Sequence, residues 1–197
     1  MKSKTRSYDM STRAAQAEAT RARIREAAVA LYIEASLDGF TLDEVARRAA
    51  VTVQTVLRAF KSKDQLVLAA MGVLATHGRA MKTPAMPGDI AGAVAVIFDL
   101  YETIGDLVLQ QLVDEHRLPA LKPEMDLGRK GHADWVTAAF APQLRGRSGK
   151  ARTQLFNALM VATDIYVWKL LRRDQQLERP QAEAVVRHLI TGITRET

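Results

Sequence analysis

Three signals for the start of a helix follow one another within residues 40–66, and together they strongly constrain the secondary structure of this stretch. Each signal is a hydroxyl residue suited to capping a helix N-terminus: Thr41, Thr52 and Ser62. The first and third signals are completed three residues later by Glu44 and Gln65, as in a capping box. Helices are therefore predicted to begin near residues 42, 53 and 63, with only short turns between them.

The first of these helices is predicted to be amphipathic. Its apolar residues recur at spacings of three and four: Leu42, Val45, Ala46 and Ala49. This period places them on one buried face and leaves Arg47 to solvent or phosphate. The helix ends near Ala49 and the next begins about three residues later, so the two helices must cross at a steep angle.

The second helix carries polar groups on its outer side. Val56 and Phe60 face inward, and the outward positions are Val53, Gln54, Leu57 and Arg58. An outward Gln and Arg can pair with adenine and guanine edges in a major groove. Hydroxyl and basic residues nearby are candidates for phosphate contacts: Arg47, Thr52, Thr55, Lys61 and Lys63. The pattern predicts a helix-turn-helix element that binds double-stranded DNA.

This region resembles the DNA-binding domain of the TetR family, which comprises dimeric, all-helical bacterial transcription regulators. In the first helix the resemblance rests on Arg21, Ile24, Ala27, Ala28 and Leu31. Further on it rests on Thr41, Val45, Ala46, Ala49, Val51, Thr52, Thr55, Phe60, Lys63 and Leu66. The resemblance implies an all-α fold, with a three-helix DNA-binding domain followed by a helical ligand-binding and dimerisation domain.

The chain departs from the family pattern at three positions. Ala50 stands where the family usually has a turn glycine, and a left-handed backbone there would cost alanine roughly 1 to 2 kcal/mol. Leu57 and Ala59 replace a tyrosine and a histidine that reach phosphates in the family. Whether these changes weaken DNA binding stays open.

Positive charge is concentrated near the N-terminus. Residues 1–63 hold 12 Lys or Arg against 7 Asp or Glu, whereas residues 64–197 hold 16 against 15. Such a basic domain is typical of a protein that binds a polyanion.

Several basic residues precede or open the first helix: Lys2, Lys4, Arg6, Arg13, Arg21 and Arg23. Residues 1–17 are predicted to be a flexible arm for a minor groove, or else an ordinary disordered terminus.

Other functional classes find little support. The chain has no Cys, no Gly-x-Ser-x-Gly elbow and no phosphate-binding glycine loop, so it is not expected to be an enzyme or to need a cofactor. His116 and His132 lack a metal-binding spacing. No apolar run approaches the ~18 residues of a membrane span, and we expect a soluble cytoplasmic protein.

Helices are expected throughout the chain. The predicted segments are Thr12 or Thr20 to Ser36, Asp64 to about Met81, Met125–Phe140, one continuous helix over 153–171, and a last helix from Pro180. A break is expected over Pro84–Gly88. The predicted DNA-binding domain is 18–66, and 67–197 is the effector and dimerisation domain.

The second domain is where an effector site must lie. Large residues able to line a cavity, or simply to fill the core, are Phe98, Tyr101, Trp135, Phe140, Met160 and Trp168. Asp164 interrupts an apolar run, so it is predicted either to bind a cationic or hydroxylated ligand or to pair with an Arg.

The helix over 153–171 has apolar residues on almost all sides, so it must be covered on more than one side. In the family that the chain resembles, the last two helices form a four-helix dimer interface. The resemblance therefore implies a two-fold homodimer on a palindromic operator. By analogy with the family we expect a repressor released by an unknown small molecule. The alternative is a constitutive dimeric DNA-binding protein without an effector.

Overall fold

The computed structural model describes the backbone of residues 4–80 and 85–196 and the side chains of residues 12–72 and 85–195. Within these residues the regular structure is helical and no strand occurs, which confirms the predicted all-α class. The helices are α1 Lys4–Gly39, α2 Leu42–Arg48, α3 Val53–Phe60, α4 Lys63–Ala80, α5 Ile90–Asp114, α6 Lys122–Ala139, α7 Ala141–Leu144, α8 Gly149–Ala162, α9 Ile165–Lys169 and α10 Arg179–Glu196. A 3-10 turn covers Pro119–Leu121, and a π-helical turn covers Leu170–Asp174.

Contacts along the chain divide it into two compact units. One comprises Met1–Thr76 with Leu118–Leu121, and the other comprises His77–Arg117 with Lys122–Thr197. The predicted functional boundaries at residues 17 and 66 stay predictions, because compactness does not say which residues touch DNA. Two predicted limits, Met81 and Pro84, lie outside the described residues. None of the helices described is long and apolar enough to cross a bilayer.

The first unit is built around the contacts of α1, α2 and α3 with one another. Apolar side chains that the sequence spaced at helical intervals form its core: Ile24, Ala28, Leu31, Tyr32, Phe40, Val45, Ala46, Val56, Phe60 and Leu66. Ile24 and Tyr32 are wholly buried, as the predicted core face of α1 requires. The three-helix arrangement therefore follows from burying one apolar stripe of each short helix.

Helix α1 is longer than predicted. It begins at Lys4 rather than at Thr12 or Thr20, so the expected flexible arm is helical from residue 4 onward. Residues 1–3 lie outside the described residues. A kink interrupts the helix at Ser36, whose backbone angles are φ 54° and ψ −162°. The kink lies at the predicted end of the helix, close to the exit turn that leads to Phe40.

The turn between α2 and α3 has a left-handed backbone at Ala50, which is the condition under which alanine was expected to be strained. Ala50 has a φ of 52°, which lies in the left-handed region. Glycine adopts this conformation without steric cost, whereas the Cβ of alanine makes it unfavourable. Its neighbours hold it there: the Val51 N–H donates to the Ala46 carbonyl at 3.0 Å, and Thr52 caps the next helix. Ala50 itself is exposed, so its methyl group is not needed for core packing.

Replacing Ala50 by Gly is expected to raise the free energy of unfolding by about 1 kcal/mol, because relief of the left-handed strain exceeds the added chain entropy of glycine. Chemical denaturation measures this directly. The control is Ala15→Gly, an exposed site inside α1, where the same exchange should destabilise by up to about 1 kcal/mol. An equal loss of stability in both variants would show that the turn is not strained.

The second unit is organised around α5, which packs against α6, α9 and α10. Its core includes Val94, Ile97, Phe98, Tyr101, Val136, Phe140, Leu155, Leu159, Trp168, Val186 and Ile190. Gly105 lies on α5 where the Trp168 ring approaches the backbone: a Cβ at this glycine would stand 2.6 Å from two ring carbons. Gly105 is thus the place where a large aromatic ring packs against α5.

The prediction of one continuous helix over 153–171 is wrong. Helix α8 ends at Ala162, and Asp164 begins α9 as its N-cap, with extended backbone angles. The Asp164 side chain accepts a hydrogen bond from the Tyr166 N–H at 2.9 Å. A short polar residue that caps a new helix competes with helix continuation, and here the cap prevails over the apolar periodicity.

Candidate nucleic-acid interface and effector recess

The two helices of the helix-turn-helix begin at capping hydroxyls, as predicted. Thr41 Oγ1 accepts a hydrogen bond from the Glu44 N–H at 3.2 Å, and Thr52 Oγ1 accepts one from the Thr55 N–H at 3.2 Å. The same arrangement recurs at α4, where Ser62 Oγ accepts from the Gln65 N–H at 3.2 Å. These caps fix the start of each helix and, with it, which side chains of α3 face outward.

Most of the predicted DNA contacts lie at the surface. The exposed residues of this set are Arg47, Thr52, Gln54, Arg58, Lys61 and Lys63, and the half-buried ones are Val53, Thr55 and Leu57. The inward side of α3 is formed by Val56 and Phe60, both almost fully buried. The structure therefore presents these residues together along α2, α3 and the start of α4.

Gln54 and Arg58 are the polar side chains best placed to read bases. They are one helical turn apart on α3 and thus on one face. Neither makes a side-chain hydrogen bond or ion pair with any other residue that the structure describes. Their donors and acceptors are free for the bidentate contacts that recognise adenine and guanine.

The threonines and lysines around α3 differ in the interactions that their side chains make within the protein. The hydroxyls of Thr52 and Thr55 lie 3.0 Å apart and hydrogen bond to each other. The Lys63 ammonium lies 5.8 Å from the centre of the Phe40 ring, in a cation–π contact. Lys61 caps the C-terminus of α3 with a φ of 65°, so the chain turns sharply there and its side chain is exposed.

Arg47 is held by an internal partner. Its guanidinium donates to both Glu44 carboxylate oxygens, at 2.8 and 2.6 Å, and the same carboxylate accepts from Arg48 at 2.8 Å. Hydrogen bonds from Arg47 and then Arg48 lower the pKa of Glu44 to about 2, so the carboxylate is ionised at neutral pH. The pairing is thus present above the ordinary glutamate pKa and is lost only as the pH falls towards 2. A phosphate must compete with Glu44 for Arg47.

Glu44→Gln is expected to tighten DNA binding at low salt and to increase the salt dependence of binding by about one phosphate contact, because it removes a negative charge and releases Arg47. Anisotropy titrations on one duplex at several salt concentrations measure both effects. Glu26→Gln makes the same charge change on α1 and serves as the control. If both variants tighten binding equally, the effect is one of net charge and Arg47 does not reach the DNA.

Arg21 contributes to this region in a way that the sequence did not reveal. From its position in the sequence, Arg21 was placed among the basic residues that precede or open the first helix, but it lies within α1. Its guanidinium donates a hydrogen bond to the carbonyl of Ala59 and lies 4.3 Å from the centre of the Phe60 ring. Both partners are at the C-terminal end of α3. Arg21 therefore fixes the position of α3 on α1, across 38 residues of chain.

The second unit contains a small recess. Its walls include Ile97, Phe98, Tyr101, Thr163, Asp164, Val167 and Trp168, and its empty volume is about 180 Å³, which includes open solvent at its mouth. The side chains leave essentially no enclosed room for a water molecule, so a ligand could enter only if the walls of the recess moved apart.

The recess brings together four of the seven predicted ligand residues: Phe98, Tyr101, Asp164 and Trp168. The other three, Trp135, Phe140 and Met160, lie outside its walls. Trp135 stacks on His132 with ring centres 6.1 Å apart and meets the Phe140 ring edge-on at the same distance. These residues contribute to the packing of the unit, which was the alternative reading of the aromatic set.

Hydrogen bonds around the break between α8 and α9 define the polar end of the recess. Burial, and to a lesser extent the Asp164 carboxylate, raises the pKa of Tyr101, so its hydroxyl stays protonated and donates to the Thr163 carbonyl at 3.2 Å. The Thr163 hydroxyl donates to the Leu159 carbonyl at 2.8 Å and lies 2.9 Å from His132 Nε2. The Tyr101 donor is therefore already used within the protein.

Comparison with known proteins agrees with this geometry. Residues 24–70 match the sequence model of the bacterial regulatory proteins of the tetR family. A transcriptional regulator from Rhodococcus sp. Rha1 shares the fold with a TM-score of 0.69 and 18% identity, over 89% of this chain and 96% of that one. The multidrug binding protein EbrR, in a complex with imidazole, shares it with a TM-score of 0.63 and 21% identity, over 88% of each chain. No curated protein matches the sequence.

The fold and the interface define a helix-turn-helix DNA-binding regulator. The match covers α2, α3 and parts of α1 and α4, and it identifies residues 24–70 as a DNA-binding region of the tetR type. The two solved structures are too distant in sequence to add more than the fold. The predicted resemblance to the TetR family is confirmed over residues 24–70.

Proposed function

We propose that the chain is a dimeric repressor that reads a palindromic operator through α3 and is released from it by a small molecule. The observation that carries the DNA-reading part is the pair Gln54 and Arg58, exposed on one face of α3 and free of partners among the described residues. Residues 18–66 would form the DNA-binding domain, and residues 67–197 would bind the effector and form the dimer.

Exposed apolar residues support the dimer. Large hydrophobic side chains of α8, α9, the π-helical turn and α10 are open to solvent: Val161, Tyr166, Leu170, Val185 and Leu189. Their exposed fractions run from 38% for Val185 to 66% for Val161, and α8 packs against α10. An apolar surface spread over neighbouring elements in this way is normally covered by a partner. A second copy of the chain covers it symmetrically and presents two copies of α3 to two half-sites.

Two measurements test the dimer hypothesis: the molecular mass in solution and the footprint on DNA. Light scattering at micromolar concentration is expected to give twice the mass of one chain. Nuclease footprinting on DNA from the region upstream of the coding sequence should protect two half-sites related by a two-fold axis and about one helical turn apart. A monomer in solution, or a single protected half-site, would refute the dimeric assignment.

The effector part rests on the recess and on α4. The recess carries aromatic rings and one carboxylate, a combination of apolar surface with few polar groups that is typical of ligand sites. Helix α4 spans Lys63–Ala80, whereas the two compact units divide after Thr76, so one helix continues from the DNA-binding unit into the other. A ligand that shifts this helix would change the spacing of the two copies of α3. Shifts of about 1 to 2 Å are sufficient in other allosteric proteins.

A constitutive dimer without an effector is the second candidate, and the tightness of the recess favours it. Trp168 is only 1% exposed and Phe98 only 2%. A thermal-shift screen separates the two candidates. The repressor hypothesis expects at least one small molecule to raise the melting temperature and to release the bound operator. A screen of small cations, neutral molecules and anions without any shift would favour the constitutive protein.

A further inference from the structure

The outward side of α3 has an apolar part as well as a polar one. Gln54 and Arg58 are its exposed polar residues. Leu57 lies beside them, three residues after Gln54 and four after Val53, and these are the spacings of neighbours on a helix surface. Val53 and Leu57 are half-buried, so part of each side chain stays open to solvent next to the polar pair.

This apolar pair is distinct from the core face of the same helix. The core positions of α3 are Val56 and Phe60, which are only 1% and 4% exposed, and neither Val53 nor Leu57 is buried to that extent. When α3 enters a major groove, the open part of the pair leaves water. That burial is favourable against another apolar group, whereas it costs free energy against a polar base edge that loses its hydrogen bonds to water.

The DNA has one apolar group that can meet this surface. Leucine and valine side chains form no hydrogen bond to a base or a phosphate, so they contribute only apolar contact. The C5-methyl group of thymine is the apolar group that the major groove presents. The amide of Gln54 suits adenine, and every A·T pair brings a thymine methyl group to the same groove. Leu57 therefore lies beside the side chain whose preferred base pair carries that methyl group.

We infer that Leu57, with Val53 beside it, recognises the C5-methyl group of a thymine in each operator half-site, and that Leu57 determines specificity at this position. The inference rests on the proposed function, in which α3 lies in the major groove. It also names a group that hydrogen bonds from Gln54 and Arg58 cannot detect. Uracil keeps every hydrogen-bond donor and acceptor of thymine and lacks only the methyl group.

A duplex that the protein itself selects from a pool of random DNA provides the probe. This duplex is synthesised twice, once with thymine and once with uracil at every thymine of the bound half-sites, and competitive anisotropy compares the two. The unmodified protein is expected to bind the uracil duplex about 4-fold more weakly for one lost methyl contact and about 16-fold more weakly for one in each of two half-sites.

Two leucine variants show which residue detects the methyl group. Leu57→Ala shortens the side chain but keeps a strong helix former in α3, so it should distinguish the two duplexes by less than about 2-fold. Leu127→Ala is the matched control, because Leu127 is a leucine of α6 that is 48% exposed and lies outside the DNA-binding unit. It should retain the full effect of uracil.

Equal binding of the thymine and uracil duplexes by the unmodified protein would overturn the inference, and this comparison needs no variant. A selected half-site without any A·T pair would overturn it too. So would a uracil effect that persists in full in Leu57→Ala, since the methyl group would then act through another residue or through the shape of the DNA. In each of these cases the protein still prefers the selected duplex to random DNA, and the proposed function stands. If the pool yields no preferred duplex, sequence reading itself fails and the inference fails with it.

Discussion

Arg58→Ala is expected to weaken binding to the specific operator by roughly 1 to 3 kcal/mol, which corresponds to about 5- to 150-fold in affinity. The reason is the position of Arg58: it is exposed on α3, one turn from Gln54, and its guanidinium has no partner among the described residues. A free guanidinium of this kind can form two hydrogen bonds to a guanine edge, and alanine forms none. The loss is therefore expected on the operator and hardly at all on random DNA.

Competitive anisotropy with operator and random duplexes measures both affinities in one experiment. Lys61→Ala is the control, because Lys61 is also an exposed cation in this region but is expected to contact phosphate. It should weaken binding to every duplex alike and reduce the salt dependence by about one contact. If Arg58→Ala behaves like Lys61→Ala, Arg58 contacts phosphate and the base-reading role passes to other residues of α3.

Gly105→Ala is expected to reduce the free energy of unfolding by about 1 to 3 kcal/mol. Inside a helix this exchange usually stabilises by about 1 kcal/mol, so the sign itself is informative. The new Cβ would stand 2.6 Å from Cη2 and Cζ3 of Trp168. Trp168 has little room to yield, because it is 1% exposed and its indole N–H donates to Glu102 at 3.0 Å.

The neighbours of Trp168 strengthen this expectation. Arg172 donates to the same Glu102 carboxylate at 2.5 Å and lowers the pKa of Glu102, so the acceptor of the indole N–H stays ionised. Arg173 covers the face of the indole and pairs with Asp106 at 2.9 Å. The ring is thus held from several sides, and overpacking at residue 105 is expected to displace the helix backbone rather than the ring.

Chemical denaturation gives the result for Gly105→Ala, and Gly128→Ala is the matched control. Gly128 is also inside a helix, α6, but a Cβ there would meet nothing within 4 Å. Its replacement should stabilise by up to about 1 kcal/mol. Similar stabilisation in both variants would mean that Trp168 does not lie against α5 as described.

The helix-turn-helix was predictable because its determinants are local. Thr41 and Thr52 cap helices within three residues of themselves, and the inward positions of α3 follow from a spacing of four. A left-handed backbone at Ala50 was raised as one possibility, because the resembling family usually has a glycine there, and the φ of 52° shows that it occurs. The interactions that determine such elements are formed between residues close together in the sequence.

The features that were missed depend on distant residues or on competition between local signals. Nothing near Arg21 in the sequence indicates that it reaches Ala59 and Phe60, because that contact exists only once α1 and α3 have packed. The break at Asp164 did have a local signal, a capping residue within an apolar run, but the periodicity on both sides favoured a continuous helix. Asp164 was correctly singled out as unusual, although it lies at a helix end and not within a helix. The three-dimensional fold also decided that Trp135, Phe140 and Met160 lie outside the recess walls.

The central claim is that this protein reads a DNA sequence, and fluorescence anisotropy tests it most directly. The purified protein is titrated against DNA from its own upstream region and against a shuffled duplex of the same composition, over a range of salt concentrations. The account predicts a clear preference for the native duplex that persists at moderate salt, because base contacts by Gln54 and Arg58 add to phosphate attraction. Equal, steeply salt-sensitive binding to both duplexes would contradict it for this DNA, since phosphate attraction alone would then explain all the affinity.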